Sequence, residues 1–186
     1  KLKIKPSLIF SSTKQIEKDY LTGNSGPYSI SKKTCEELIK FYSKNYGLKF
    51  HILRLSDIFS KINNPKNKAL NRILNKSKNN QNIFIDNKGH NFEYVNIDVI
   101  CEGIIKILDK KLNYKYINFY GEKMNIVKLV KKIIKYLKSR SKIIIRNSVN
   151  NKIKLKKDKI LNYHINKKSL FESNLNLIIE NELKKK

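Results

Sequence analysis

Cysteine is almost missing from this sequence. Cys35 and Cys101 are the only two, they form no Cys-x-x-Cys pair, and His51, His90 and His164 stand at no ligand spacing from them. A disulfide framework and a zinc site of ordinary spacing are therefore excluded, and no metal site is expected. Both thiols fall in apolar helical patterns, where buried cysteines are expected. Long hydrophobic runs are missing as well. Charge interrupts every apolar stretch well short of the roughly 18 residues a membrane helix needs, and the opening "KLKIKPSLIF" has too short an apolar run for a signal peptide. The reading is a soluble, cytoplasmic protein with no membrane partner. Arginine is the third scarcity: Arg54, Arg72, Arg140 and Arg146 are the whole supply among 41 basic residues, so roughly one residue in five is lysine. Arginine is the side chain suited to bidentate base and phosphate contacts. The lysines are spread along the chain, so the net charge of +26 reads as a solvated surface and no specific nucleic-acid partner is expected. No internal repeat occurs.

What is present is a chain of 186 residues, enough for one ordinary domain, or one and a small lobe, with a sizeable core. "PSLIFSST" (Pro6 to Thr13) is a short apolar run ending in hydroxyls and reads as a buried strand. "LTGNSGP" supplies turn residues, and Pro27 suits the first turn of a helix whose apolar positions are Ile30, Leu38, Ile39 and Tyr42 and whose stop is Gly47. "LKFHILRLS" is a second strand, and "NIFI" and "FEYVNI" are shorter ones. Asp98 is placed to cap a helix through Ile104, Ile105 and Leu108. "YKYINFY" reads as another strand. In "MNIVKLVKKIIKYLK" a stripe of Ile126, Val127, Val130, Ile133, Ile134 and Leu137 marks an amphipathic helix. "KIIIR" and "KIKLK" read as edge strands, and residues 166–186 as one or two short helices. "NNPKNKALNRILNKSKNNQN" reads as a surface insertion around a short helix. Strands alternating with helices give an α/β fold with a mainly parallel sheet.

In such a sheet ligands bind beyond the carboxyl ends of strands. Ser11, Ser12 and Thr13 stand at such an end, and the helix that follows carries Tyr28 and Lys32, which share a face at i and i+4. A phenol is a poor base near neutrality unless a neighbouring ammonium favours its anion. Tyr28 with Lys32, and Thr13 to hold a substrate oxygen, form a constellation that could move a proton on or off an alcohol as hydride leaves or returns. Ten tyrosines in so lysine-rich a chain give about two Tyr-x-x-x-Lys matches by chance, and two occur, Tyr28/Lys32 and Tyr163/Lys167. The second has no hydroxyl-tipped strand before it and reads as the chance match.

"LIFSST", "PYSISKKTCEELIKFYSKNYGLKFHILRLSDIF", "FEYVNIDVICEGIIKIL" and "YINFYGEKMNIVKLVKKI" resemble, in family order, four landmarks of the extended short-chain dehydrogenase/reductases. Members include the NAD-dependent nucleotide-sugar epimerases and dehydratases. The resemblance runs from Pro6 to about Leu137, with a weaker match in "INKKSLFESNL". It implies a partial Rossmann-like fold, with about 1–60 and 92–120 in the Rossmann-like part and about 61–91 and 121–186 in a substrate lobe. It further implies Tyr28 as catalytic base, Lys32 as its electrostatic partner and cofactor ligand, and Thr13 as the hydroxyl that orients substrate. Leu55 and Ser56 are implied on the cofactor side, and Arg54 and Asp57 match the family's Arg-x-x-Asn, whose last position touches substrate. Asp57 departs from it, since a carboxylate accepts hydrogen bonds but cannot donate as an amide does. The Tyr-Gly after the hydroxyl strand is absent, and Ser60-Lys61 replaces the family's Gly-Pro.

Nothing in the sequence resembles the Gly-x-x-Gly-x-x-Gly turn that lets backbone approach a pyrophosphate. The expectation is thus the C-terminal portion of a longer enzyme, whose NAD (or NADP) would be incompletely bound by this chain alone and whose substrate would be a nucleotide sugar. A homodimer is expected of the full-length form. Two other readings stand beside it: a cofactor-free structural or partner-binding remnant of that family, and a basic nucleic-acid-binding module.

Overall fold

The computed structural model describes residues 6–17, 26–60, 69–86, 88–110, 115–146, 163–164 and 171–184. In chain order the elements are β1 (Ser7–Thr13), α1 (Pro27–Tyr46), β2 (Lys49–Leu55), β3 (Asp57–Phe59), α2 (Ala69–Lys78), β4 (Ile83–Ile85), β5 (Asn91–Asn96), α3 (Ile97–Leu108), β6 (Tyr116–Phe119), β7 (Glu122–Asn125), α4 (Ile126–Leu137), β8 (Ile143–Ile145), β9 (Tyr163–His164) and α5 (Phe171–Lys184). The chain divides into two compact units, residues 1–56, 99–120 and 152–167 in the first and residues 57–98, 121–151 and 168–186 in the second. The result is the mixed α/β fold with mainly parallel sheets that the alternation of strand and helix patterns predicts.

The first unit is built on a four-stranded sheet in the order β1-β2-β6-β9, parallel throughout. β1 and β2 pair along their whole length, Ser7 opposite Lys49 and Thr13 opposite Leu55. The outer edge of β1 has no partner strand among the described residues. α1 begins where its sequence says it should. Pro27 occupies the first turn, where a missing N–H costs nothing, and the Ile30 N–H donates to the Gly26 carbonyl at 3.1 Å. It ends at Gly47, whose φ of 68° is the left-handed conformation that glycine adopts without strain.

The face that α1 buries differs from the apolar positions of its sequence. Ile39 is buried, but Ile30, Leu38 and Tyr42 are exposed, and the other buried residues are Ser29 and Glu36. The face turned to the sheet thus carries Glu36, paired there with Arg54, and the helix's larger hydrophobes lie outward. Phe41, Tyr42 and Tyr46 then pack on one another on the exposed side.

The second unit holds two sheets, β3-β5-β7 and the parallel pair β4-β8. β5 runs parallel to β3 and antiparallel to β7, so residues 92–96, expected with the Rossmann-like part, pair here with residues of this unit. The core joins Phe59, Leu74, Ile85, Met124, Ile133 and Ile178, among others, from strands and from α2, α4 and α5. α4 follows its apolar stripe closely: Val130 and Ile133 are fully buried, together with Leu129. The Asn125 side chain caps it, accepting from the N–H groups of Val127 and Lys128. Met124, expected in this helix, is instead the third residue of β7.

Other expectations are also corrected. The helix in the polar stretch is no surface insertion, because α2 turns Leu70, Ile73 and Leu74 into the core; a ten-residue helix needs only those few apolar positions to do so. The cap of α3 is Asn96, whose Oδ1 accepts from the Asp98 N–H at 3.0 Å. The Asp98 carboxylate lies two residues past the cap, inside the first turn, where its charge still suits the positive end of the helix. Cys101 is exposed and Cys35 only half-buried, since each lies beside the face its helix buries. The described tail is one helix, α5, and "KIKLK" lies outside the described residues. Among the described residues no helix is long and apolar enough to cross a membrane.

Two substitutions probe the second unit. Ile133→Ala should lower stability by about 2–5 kcal/mol, read as a fall in urea midpoint. Gly121→Ala should be at least as damaging as a typical core truncation, because a Cβ there would lie 2.1 Å from the Tyr94 carbonyl oxygen, a backbone atom that cannot swing away.

Candidate active site

The residues expected to carry chemistry in the first unit gather at the carboxyl end of its parallel sheet. Side chains alternate along a strand, so Ser11 and Thr13 share one face of β1 while Ser12 points to the other. The backbone carbonyl of Ser11 accepts a hydrogen bond from the Lys32 ammonium at 2.9 Å. The same ammonium lies 6.0 Å from the centre of the Tyr28 ring and 5.0 Å from that of Phe10. Tyr28 is one turn before Lys32 and more than half exposed, so its hydroxyl is open to a reactant. Thr13 is half-buried, and its Oγ1 accepts from the Gln15 N–H at 3.2 Å; its own proton remains available to donate.

The ends of β2 and β6 complete this rim. The Leu55 carbonyl accepts from the Lys14 N–H at 3.0 Å, and the Ser56 N–H and hydroxyl both approach the Phe119 carbonyl, at 3.4 and 3.1 Å. Ser56 can therefore offer a ligand its oxygen lone pairs, and Leu55 its side chain. The Lys14 ammonium sits 3.6 Å above the Tyr120 ring, linking the ends of the two strands that flank β2.

Behind the rim lies a buried charge cluster of which sequence reasoning saw one half. Arg54 was expected as part of an Arg-x-x-Asn match, with no partner named. Its guanidinium is 4% exposed and grips Glu36, which has no exposure at all: Nε to Oε1 at 3.1 Å and Nη2 to Oε2 at 2.7 Å. Ser12 donates its hydroxyl to Glu36 Oε1 at 2.6 Å, and Arg54 Nη1 reaches Glu17 at 3.0 Å. A signal for the pair did exist. Phe50, Ile52 and Arg54 alternate on one face of β2, so an arginine there needs a carboxylate, and Glu36 lies on the α1 face of Ser29 and Ile39.

Asp57 belongs to the second unit. It is exposed at the start of β3, opposite Tyr94 of β5, and the two line a small pocket with Ile58, Phe59, Ala69, Leu70 and Phe92. Phe92 stacks on Tyr94 at 5.4 Å. Burial, and then the negative charge of Asp57, push the Tyr94 phenol above its ordinary range. The chance match stands apart from all of this: Tyr163 is in a strand, opposite Ile117, and Lys167 lies outside the described residues. No group of three or more His, Cys, Asp or Glu side chains able to hold a metal ion occurs among the described residues.

A parallel sheet with a Tyr-x-x-x-Lys helix beside a hydroxyl-tipped strand is the architecture of the short-chain dehydrogenase/reductase class. Comparison with known proteins narrows the class. The sequence profile of the GDP-mannose 4,6-dehydratase family matches residues 10–183. The chain belongs to that family, within the extended short-chain dehydrogenase/reductases that include the nucleotide-sugar epimerases and dehydratases.

It is 38% identical over 74 residues to a putative UDP-glucose 4-epimerase of Methanocaldococcus jannaschii, covering 37% of this chain and 24% of that one. Among solved structures, a UDP-N-acetylglucosamine 4-epimerase from Methanobrevibacter ruminantium M1 is similar with a TM-score of 0.71 and 20% identity, over 98% of this chain and 64% of that one. A dTDP-glucose 4,6-dehydratase from Bacillus anthracis, solved with NAD, gives 0.72 and 18% over 97% and 62%. A UDP-glucuronic acid 4-epimerase from Bacillus cereus, solved with UDP-glucuronic acid and NAD, gives 0.65 and 21% over 79% and 51%. The chain thus spans about a quarter of the curated relative and between half and two thirds of these structures.

Two outcomes follow. Removing either partner of the buried pair, as Glu36→Ala or Arg54→Met, should cost about 3–5 kcal/mol, and the double variant should cost less than the two together; chemical unfolding of the three proteins measures this. Because the fold favours the neutral Tyr94 phenol, its contribution is complete below the ordinary phenol value near 10 and is lost as pH rises above it. Ultraviolet titration should find one of the ten tyrosines silent between about pH 10 and 11 while the fold persists, and Tyr94→Phe should abolish that difference.

Proposed function

We propose that this chain is the catalytic and substrate-binding portion of an NAD(P)-dependent nucleotide-sugar epimerase or dehydratase. The observation that carries the reading is the Lys32 ammonium held on the Ser11 carbonyl at 2.9 Å, one helical turn from an open Tyr28. That fixes a cation next to a phenol at the end of a parallel strand.

Tyr28 takes the proton of a substrate hydroxyl and later returns it. Thr13 donates its hydroxyl proton to the same substrate oxygen and aligns it. The residues present fit the reacting end of a nicotinamide cofactor: a lysine on the strand end, the Leu55 side chain and the Ser56 oxygen. When bound, NAD or NADP would supply hydride transfer to and from the substrate carbon. A Gly-rich strand-to-helix turn for its pyrophosphate does not occur among the described residues, so cofactor binding by this chain alone is incomplete. The ligands of a solved relative, NAD and UDP-glucuronic acid, support both the cofactor and the substrate class. In the full-length protein a homodimer is expected.

The test is to express the chain together with whatever coding sequence precedes Lys1 in frame, and to titrate NAD and nucleotide sugars. The expected result is tight NAD in the longer protein, weak NAD in the 186-residue chain, and turnover of a nucleotide sugar. Tyr28→Phe should lower kcat by roughly 10²–10⁴-fold with KM little changed. Full activity in Tyr28→Phe, or no NAD bound by the longer protein, would overturn the reading; the latter result would favour a cofactor-free remnant.

A further inference from the structure

α1 carries Tyr28 and Lys32, yet its hold on the sheet is unusual. A helix packed through an apolar stripe meets a force that is non-directional and proportional to area, and such a contact tolerates small slips. α1 buries only Ser29, Glu36 and Ile39, and Glu36 is the one charged group among them, held from both β1 and β2. A guanidinium and a carboxylate joined fork to fork allow one distance and one plane. In energy, a buried ion pair offers little over well-packed hydrophobes, so its distinguishing property is the geometry it imposes.

That geometry is imposed at the reacting end. Glu36 is one turn beyond Lys32 and two beyond Tyr28, about 6 and 12 Å along a stiff helix. On the strand side, three consecutive residues divide the task. The Ser11 carbonyl takes the Lys32 ammonium at 2.9 Å, and the Ser12 hydroxyl takes Glu36 at 2.6 Å. Thr13, next in line, is the hydroxyl assigned to substrate. A shift of Glu36 along the helix axis would carry Lys32 off Ser11 and move Tyr28 relative to Thr13. Arg54 of β2 closes the clamp from the neighbouring strand and reaches Glu17 just beyond β1.

We propose that Glu36, clamped by Arg54 and Ser12, is a positioning residue that sets the register of α1 against β1 and so places Lys32 and Tyr28 about Thr13. The assignment of a purpose to that placement rests on the proposed function; the placement itself does not.

The experiment follows the Lys32 ammonium directly. In the ¹⁵N-labelled chain its side-chain resonance is identified by its loss in Lys32→Arg. In Glu36→Gln the resonance should move to the position of a solvent-exposed lysine, with proton exchange faster by about ten- to a hundredfold, the effect of losing one charged hydrogen bond. A control of purely structural damage, Ile52→Val in the core beneath α1, should lower the melting temperature without moving it. Should Glu36→Gln fail to fold, Ser12→Ala keeps the ion pair, removes one bond to Glu36, and should move the resonance the same way by a smaller amount. An unmoved Lys32 in the Glu36 or Ser12 variant, or an equal movement in Ile52→Val, overturns the proposal. None of these readouts needs NAD or turnover. A moved Lys32 in a protein that proves inactive would therefore remove the proposed function and leave the positioning intact.

Discussion

One buried ion pair governs the first unit of this protein. Glu36 has no exposure, Arg54 has almost none, and their side chains meet through two hydrogen bonds between α1 and β2. Neither charge could stay inside without the other, because an unpaired buried ion is among the costliest features a fold can carry. The face of α1 that turns inward is the one that carries Glu36. With Glu36 toward the sheet, Ile30, Leu38, Phe41, Tyr42 and Tyr46 are exposed, and Lys32 comes to lie over the end of β1.

The two units are stabilised by different physics. In the second, α2, α4, α5 and the strands share a wide apolar cluster in which Leu129, Val130, Ile133, Ile178 and Ile179 are wholly buried. The apolar cluster beneath α1 is small, with Ile39, Phe50 and Ile52 at its centre, and directional contacts carry the rest. Directional bonds fix the Lys32 ammonium and Glu36 in one geometry, whereas the apolar cluster of the second unit fixes shape without direction.

Much of the fold was legible along the chain. β1, α1, β2 and α4 lie close to their expected bounds because each is written by local rules: an apolar run, a proline at the first turn, a glycine at the last, a stripe of period 3.6. Thr13, Tyr28, Lys32, Leu55 and Ser56 were legible as a set only through family resemblance, since Tyr-x-x-x-Lys is common by chance in so lysine-rich a chain. Other features were not legible. Asn96 rather than Asp98 caps α3, a difference of two residues that depends on backbone geometry. The helix in the Asn- and Lys-rich stretch reads as solvent-facing until Leu70, Ile73 and Leu74 are seen to converge on one face. β7 is four residues long and pairs only because β5 lies beside it.

The sequence by itself determined where the longer strands and helices form, because those follow from contacts within a few residues, and their alternation pointed to mainly parallel sheets. The tertiary structure alone decided that Glu36 meets Arg54, that α1 turns its hydrophobes outward, and that Lys32 reaches the Ser11 carbonyl. Those contacts join residues 18 to 24 positions apart, and which of many carboxylates or lysines makes them is fixed only once α1 lies against the sheet.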